Sequence, residues 1–353
     1  MRSKALDLLK QTVEEARAAA ERQLMADGDG RKCAEGLSLF QDEFISVIYD
    51  FTVVHLYRAQ NPSAAEKMAI VATGGYGRGL LTPGSDIDLL FLLPYKQTAW
   101  GESVVENILY LLWDLGFKVG HATRTVAQCV KLAQQDMTIR TSLLDARLLL
   151  GPEDLFGEFL QAFRKNVVKG TSREFIAAKL EERDERHRRS GASRYLVEPN
   201  VKDGKGGLRD LHTLHWVASY LHPEKKVEEF VAAGVFTEEE YQTFQRSEDF
   251  LLAVRCHLHF LTGRPDERLS FDVQQQMAER LGYREQKGMR PVERFMKHYF
   301  LVAKDVGDLT RIVCSALEVQ QLTKAPALKE LLTPAGWRKR AKLRTTSDFR
   351  IDN

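Results

Sequence analysis

From Leu37 onward, Phe40, Phe44, Val47, Phe51 and Val54 recur every three or four residues, the spacing of a helix with one buried face. Two short apolar runs follow, residues 68–73 and 89–93, each bounded by glycine or proline, and they predict buried strands. Between them and beyond, Val104, Val105, Ile108, Leu109 and Leu112 predict a helix ending near Gly116, and residues 117–124 a third strand. Residues 143–150 read as a further strand, with Asp145 and Arg147 on one face by i, i+2 alternation. Past Gly151 and Pro152 the pattern changes to long charged helices, which puts a domain boundary near residues 155–170. Leu208, Leu211, Leu214 and Trp216 mark one buried helix face; Phe250, Leu251, Val254, His257, Leu258 and Leu261 mark another. His257 and His259, two apart on a helix, do not share a face and read as ordinary core or surface histidines.

Composition narrows the class. A chain of 353 residues, 44% hydrophobic and 28% charged, is long enough for two domains and typical of globular proteins. A formal charge of +2 makes no case for nucleic acid. Cys33, Cys129, Cys256 and Cys314 are far apart, which suggests reduced thiols in a cytoplasm and neither a zinc site nor a disulfide framework. The first thirty residues mix acids, bases and alanines, so they predict a helix and not a signal peptide, and no run is long enough to span a membrane.

The chemistry concentrates in residues 72–94. Asp86 and Asp88 head an apolar strand and, two residues apart, converge on one side while Ile87 and Leu89 enter the core. Two such carboxylates repel, and Mg²⁺ relieves the repulsion with one or two carboxylates plus substrate phosphates as ligands. Upstream, Gly74 and Gly75 at a strand exit let the backbone approach a phosphate, with Arg78 near enough to add a charge-assisted contact. The spacing is neither that of a Walker A loop nor that of a dinucleotide fingerprint. The plain alternative is a surface turn with solvated aspartates. A second phrase, Gly204, Gly206 and Gly207 bracketed by Asn200, Lys202, Lys205, Arg209 and Asp210, is a basic glycine loop at a helix start, able to bind an anion or simply to join two helices.

These phrases carry a resemblance. Residues 71–78 with Ser85, Asp86, Ile87, Asp88, Leu89 and Leu90 closely resemble the nucleotidyltransferases of the polymerase-beta superfamily, and within it the bacterial PII uridylyltransferases; residues 198–202 and 206–214 extend the likeness into a helical region. The resemblance implies an α/β (α+β) fold: a polymerase-beta-like sheet with flanking helices, then an all-α domain. The expected organisation is an N-terminal helix (1–34), a nucleotidyltransferase domain (35–160), a helical domain (161–320) and a tail or linker (321–353). It also implies transfer of UMP from UTP to a tyrosine of the PII signal protein, with Mg²⁺ on Asp86 and Asp88. Gly74, Gly75, Arg78 and Ser85, joined by Lys202, Lys205 and Arg209, would hold the nucleotide.

The related glutamine synthetase adenylyltransferases are expected to carry a third carboxylate on the strand at 117–124; this chain has none there, and Asp145 is the candidate to replace it, against a structural Asp145–Arg147 pair. Asp136 is a weaker rival, at a position suited to a helix cap. Family members continue into an HD phosphohydrolase domain and paired ACT domains, so the chain reads as a truncated fragment with transferase activity alone. An adenylyltransferase acting on glutamine synthetase, and a nucleotide-binding module without turnover, are the alternatives.

Overall fold

In the computed structural model, residues 2–58, 66–189, 195–223 and 229–323 are described. The expected basic tail around Trp337 lies outside them. The chain divides into two units, Met1–Arg311 and Ile312–Asn353.

The sheet of the first unit has four strands in the order β3-β2-β1-β4. β1 (Ala69–Ala72) pairs antiparallel with β2 (Ile87–Leu93) and with β4 (Arg147–Leu150), while β3 (Val119–Thr125) runs parallel to β2. The continuous apolar run of β2 is explained by burial on both faces. Ile87, Leu89, Phe91 and Leu93 enter a core shared with helices α1 (Arg2–Asp27), α2 (Gly30–Phe51) and α4 (Ala99–Asp114). Leu90 and Leu92 enter the opposite core, with α5 (Val126–Gln135), α7 (Glu153–Phe163) and α9 (Leu208–Leu221). By alternation Asp88 belongs to the second face, beyond the end of its apolar rows.

The remaining helices are the single turn α3 (Gly74–Gly77), α6 (Met137–Leu144), α8 (Ser172–Arg189), α10 (Glu238–Thr262), α11 (Phe271–Arg280) and α12 (Pro291–Thr323). A mixed sheet flanked by helices and followed by an all-α region is thus the fold that the resemblance implies. None of the four cysteines is in a disulfide.

Two expectations are corrected. The helix starting before Leu37 buries Leu37, Gln41, Phe44, Ile45 and Ile48, and leaves Val47 and Val54 more than half exposed. Two buried polar residues, Ser38 and Gln41, hide this face from a hydrophobic count, and a π-helical turn at Thr52–Leu56 rotates the end. The strand expected over 143–150 begins only at Arg147: α6 runs through Leu144 and Asp145 is its C-cap. Asp145 and Arg147 are not partners. Arg147 bridges to Asp42 at 2.6 Å, and Asp145 to Arg78. Asp136 caps α6, accepting the backbone N–H groups of Thr138 and Ile139.

Candidate nucleotide and metal site

β1 leads into Thr73 and then into Gly74, whose φ of +57° is left-handed backbone that favours glycine. A Cβ at Gly74 would lie 3.2 Å from Asp88 Oδ2, so the turn passes directly over that carboxylate. On the other side β3 pairs Gly120 with Asp88, and a Cβ at Gly120 would lie 2.3 Å from Asp88 Oδ1. Asp88 therefore fits between two glycines, the second of which nothing in the local sequence singles out.

Asp86 and Asp88 open into a cavity of about 1030 Å³ that also takes Gly74, Gly75, Arg78, Ser85 and Asp145 from the sheet region. Its other walls come from the helical region: Lys179, Glu182 and Arg186 of α8, Lys202 and Asp203, Arg209, His212 and Trp216 of α9, and Arg255 with Glu267. The glycine-loop residues Lys202 and Arg209 thus face the same space as the two aspartates, although more than 110 residues separate them in the chain. Lys205 is not among the lining residues, and its expected part in binding the nucleotide has no support from the cavity. Ser85 lines it, but its hydroxyl closes the turn by accepting the Thr82 N–H at 3.1 Å and lying 2.8 Å from the Thr82 hydroxyl.

The electrostatics separate Asp88 from Asp145. Burial and the neighbouring Asp86 push the Asp88 carboxyl above its usual value, against the pull of Lys202. Such a pair, poorly compensated and open to a cavity, suits a hard divalent cation. Among the described residues, however, no three His, Cys, Asp or Glu side chains come together as a metal-binding group. Asp145 differs from Asp88. Burial would raise its carboxyl, but Arg78, His215 and Trp216 outweigh that and hold it below the ordinary value. Its Oδ2 accepts from Arg78 Nη1 at 2.5 Å and from Trp216 Nε1 at 2.9 Å, and His215 Nε2 stands 3.5 Å from Oδ1.

The helical wall is braced by two carboxylates, one buried and one half-buried. Asp210, wholly buried, receives Arg186 at 2.5 Å, His187 at 2.9 Å and the Gly206 N–H at 2.8 Å, which ties α8 to the glycine loop. Glu267 is gripped by Arg255 at 2.6–3.0 Å, with Lys202 3.9 Å away. Burial would raise the Glu267 carboxyl, but His259 and Arg255 bring it down to about 2. His259 is a core histidine, as expected, with an unexpected second contact: its Nδ1 accepts the Gly84 N–H at 3.1 Å, joining α10 to the turn just before Asp86. His212 lines the cavity, and burial, followed by Arg78 and Arg209, keeps its imidazole neutral by holding its pKa well below the usual value.

Residues 59–146 match the model of a nucleotidyltransferase domain, and residues 174–314 that of the GlnD PII-uridylyltransferase. Over all of its length the chain is 57% identical to a bifunctional uridylyltransferase/uridylyl-removing enzyme of a Bradyrhizobium species, of which it covers 38%. It is 56% identical over 349 residues to the enzyme of that description from Rhodopseudomonas palustris, covering 98% of the chain and 37% of the relative, and 55% identical over 352 residues to that of Nitrobacter winogradskyi. The chain thus spans less than two fifths of the length of these relatives.

Proposed function

We propose that the chain is a member of the PII-uridylyltransferase family, as its two family-model matches and its similarity to the relatives above support, and that it transfers UMP from UTP to a tyrosine hydroxyl of a PII signal protein, releasing pyrophosphate. The observation that carries the reading is the shared cavity: the Gly74–Gly75 turn, Arg78, Asp86 and Asp88 face Lys202 and Arg209 across one space. Asp86 and Asp88 would hold Mg²⁺, which when bound supplies charge neutralisation for the phosphates and the attacking oxygen. The glycine turn offers backbone close to the phosphates, and Arg78, Lys202 and Arg209 offer cationic N–H donors. The acceptor phenol, with an ordinary pKa of ~10, is a weak nucleophile at neutral pH and gains from being held in line with the α-phosphorus.

In this reading residues 35–160 supply the reacting end of the site and residues 161–320 its opposite wall. No helix among the described residues is long and apolar enough to cross a membrane, and a cytoplasmic setting, where PII proteins and UTP would be met, is part of the proposal. The test is incubation with labelled UTP, Mg²⁺ and purified PII protein, followed by mass analysis of the PII tyrosine. A UMP adduct that disappears in Asp86→Asn and in Asp88→Asn is the expected result. An adduct that survives both substitutions would remove the site assignment, and ATP turned over in preference to UTP would remove the donor assignment.

A further inference from the structure

Asp145 lines the same cavity as Asp86 and Asp88, and a carboxylate there is the natural candidate for a third metal ligand. Its surroundings argue otherwise. The side chain is 2% exposed, and three donors from two directions are already directed at it: Arg78 from the glycine turn, and His215 and Trp216 from α9. A carboxylate that accepts an arginine and an indole on one oxygen, with an imidazole by the other, has its charge compensated and most of its lone pairs committed. Binding a cation through Oδ2 would detach a buried arginine, and binding it through Oδ1 would displace His215 and bring the cation towards the guanidinium.

Arg78 is the other half of the observation. Its side chain is 12% exposed, and its guanidinium is 5.7 Å from the centre of the Trp216 ring. Nη1 is spent on Asp145, whereas Nε is buried and without an acceptor, and Nη2 lies 3.7 Å from where a Cβ of Gly75 would be. Arg78 is thus gripped at one corner and presents N–H groups beside the glycine turn. A planar five-donor fork held in this way is suited to a phosphate oxygen, and fixing it in advance removes the cost of ordering a long side chain on binding.

We propose that Asp145 is a positioning residue for Arg78, which it aims with Trp216 at the triphosphate, and that the divalent cation is held by Asp86 and Asp88 without it. The proposal rests on the nucleotidyltransferase reading of the cavity, and the measurements separate the two. Binding of Mn²⁺ alone and of UTP would be titrated on the full chain for Asp88→Asn, Asp145→Asn, Arg78→Gln and the double variant Arg78→Gln/Asp145→Asn. The double variant leaves no uncompensated charge and serves where Asp145→Asn alone fails to fold. The expected outcome is that Mn²⁺ affinity changes by less than about twofold in Asp145→Asn and in the double variant, and falls at least about tenfold in Asp88→Asn. UTP binding should weaken about tenfold in each of Arg78→Gln and Asp145→Asn, with no further loss when the two are combined. Loss of Mn²⁺ in the Asp145 variants as large as in Asp88→Asn would make Asp145 a ligand and overturn the proposal. Additive losses of UTP binding would overturn it too, by uncoupling Asp145 from Arg78. A parent chain that binds neither probe would overturn the nucleotidyltransferase reading, and this proposal with it.

Discussion

Gly120 lacks a side chain at the point where β3 passes Asp88, and that absence gives the Asp88 carboxylate its room. An added methyl would meet Oδ1 at 2.3 Å while touching little else, so Gly120→Ala should displace the carboxylate and spare the fold. Transfer rate and Mn²⁺ affinity are expected to fall at least about tenfold, with unfolding free energy within ~1 kcal/mol of the parent; urea titration beside the activity assay checks both. Asp86, Asp88 and the glycine turn were legible in the sequence because their chemistry is local: two carboxylates two residues apart and two adjacent glycines need no knowledge of the fold. Gly120 was not, since its role exists only through parallel pairing with a strand 32 residues away. The Arg78 partnership of Asp145 was hidden for the same reason. Alternation along a presumed strand pointed to Arg147, while α6 in fact carries Asp145 to its C-cap and into reach of α9.

At the scale of elements, the segment between α10 and α11 does more than connect helices. Through Glu267 it holds Arg255, and through the neighbouring His259 the stem of the Asp86 turn. Glu267 has a folded pKa of about 2 against an ordinary 4.5. A carboxylate lowered on folding adds stability that is fully present above its unfolded pKa and is lost as pH falls through the folded one. The chain should therefore lose on the order of 3 kcal/mol from this group between about pH 4.5 and pH 2. Urea unfolding at a series of pH values should show that loss, and Glu267→Gln should flatten it. The long charged helix α8 illustrates the limit of reading elements alone. Its sequence is dominated by acids and bases, yet Lys179 is nearly buried beneath the cavity and Arg186 is committed to Asp210. Charge patterning identifies a helix but not which of its faces another element will cover.

At the scale of the molecule, the sheet does not own its core. Val71, Leu90 and Leu92 pack in one cluster with Phe175, Trp216 and Tyr220, and the opposite cluster includes Cys256. A chain cut at residue 160 would lose these partners and uncover part of the Leu90 and Leu92 face of β2. Residues 1–160 expressed alone are expected to show no cooperative thermal transition, whereas the whole chain should unfold with far-UV and tryptophan signals changing together. Sequence patterning shows a change of composition near residue 160, but it carries no information on whether cores on either side merge.

That merging sets an order of events during synthesis. A ribosome delivers Asp86 and Asp88 long before Lys202, Arg209 or Glu267, so a nascent chain carries the two aspartates with no opposite wall to face them. Long-range contacts of this kind close only after the intervening loop entropy has been overcome. Translation must pass Glu267 and clear the exit tunnel before the wall of the cavity is complete.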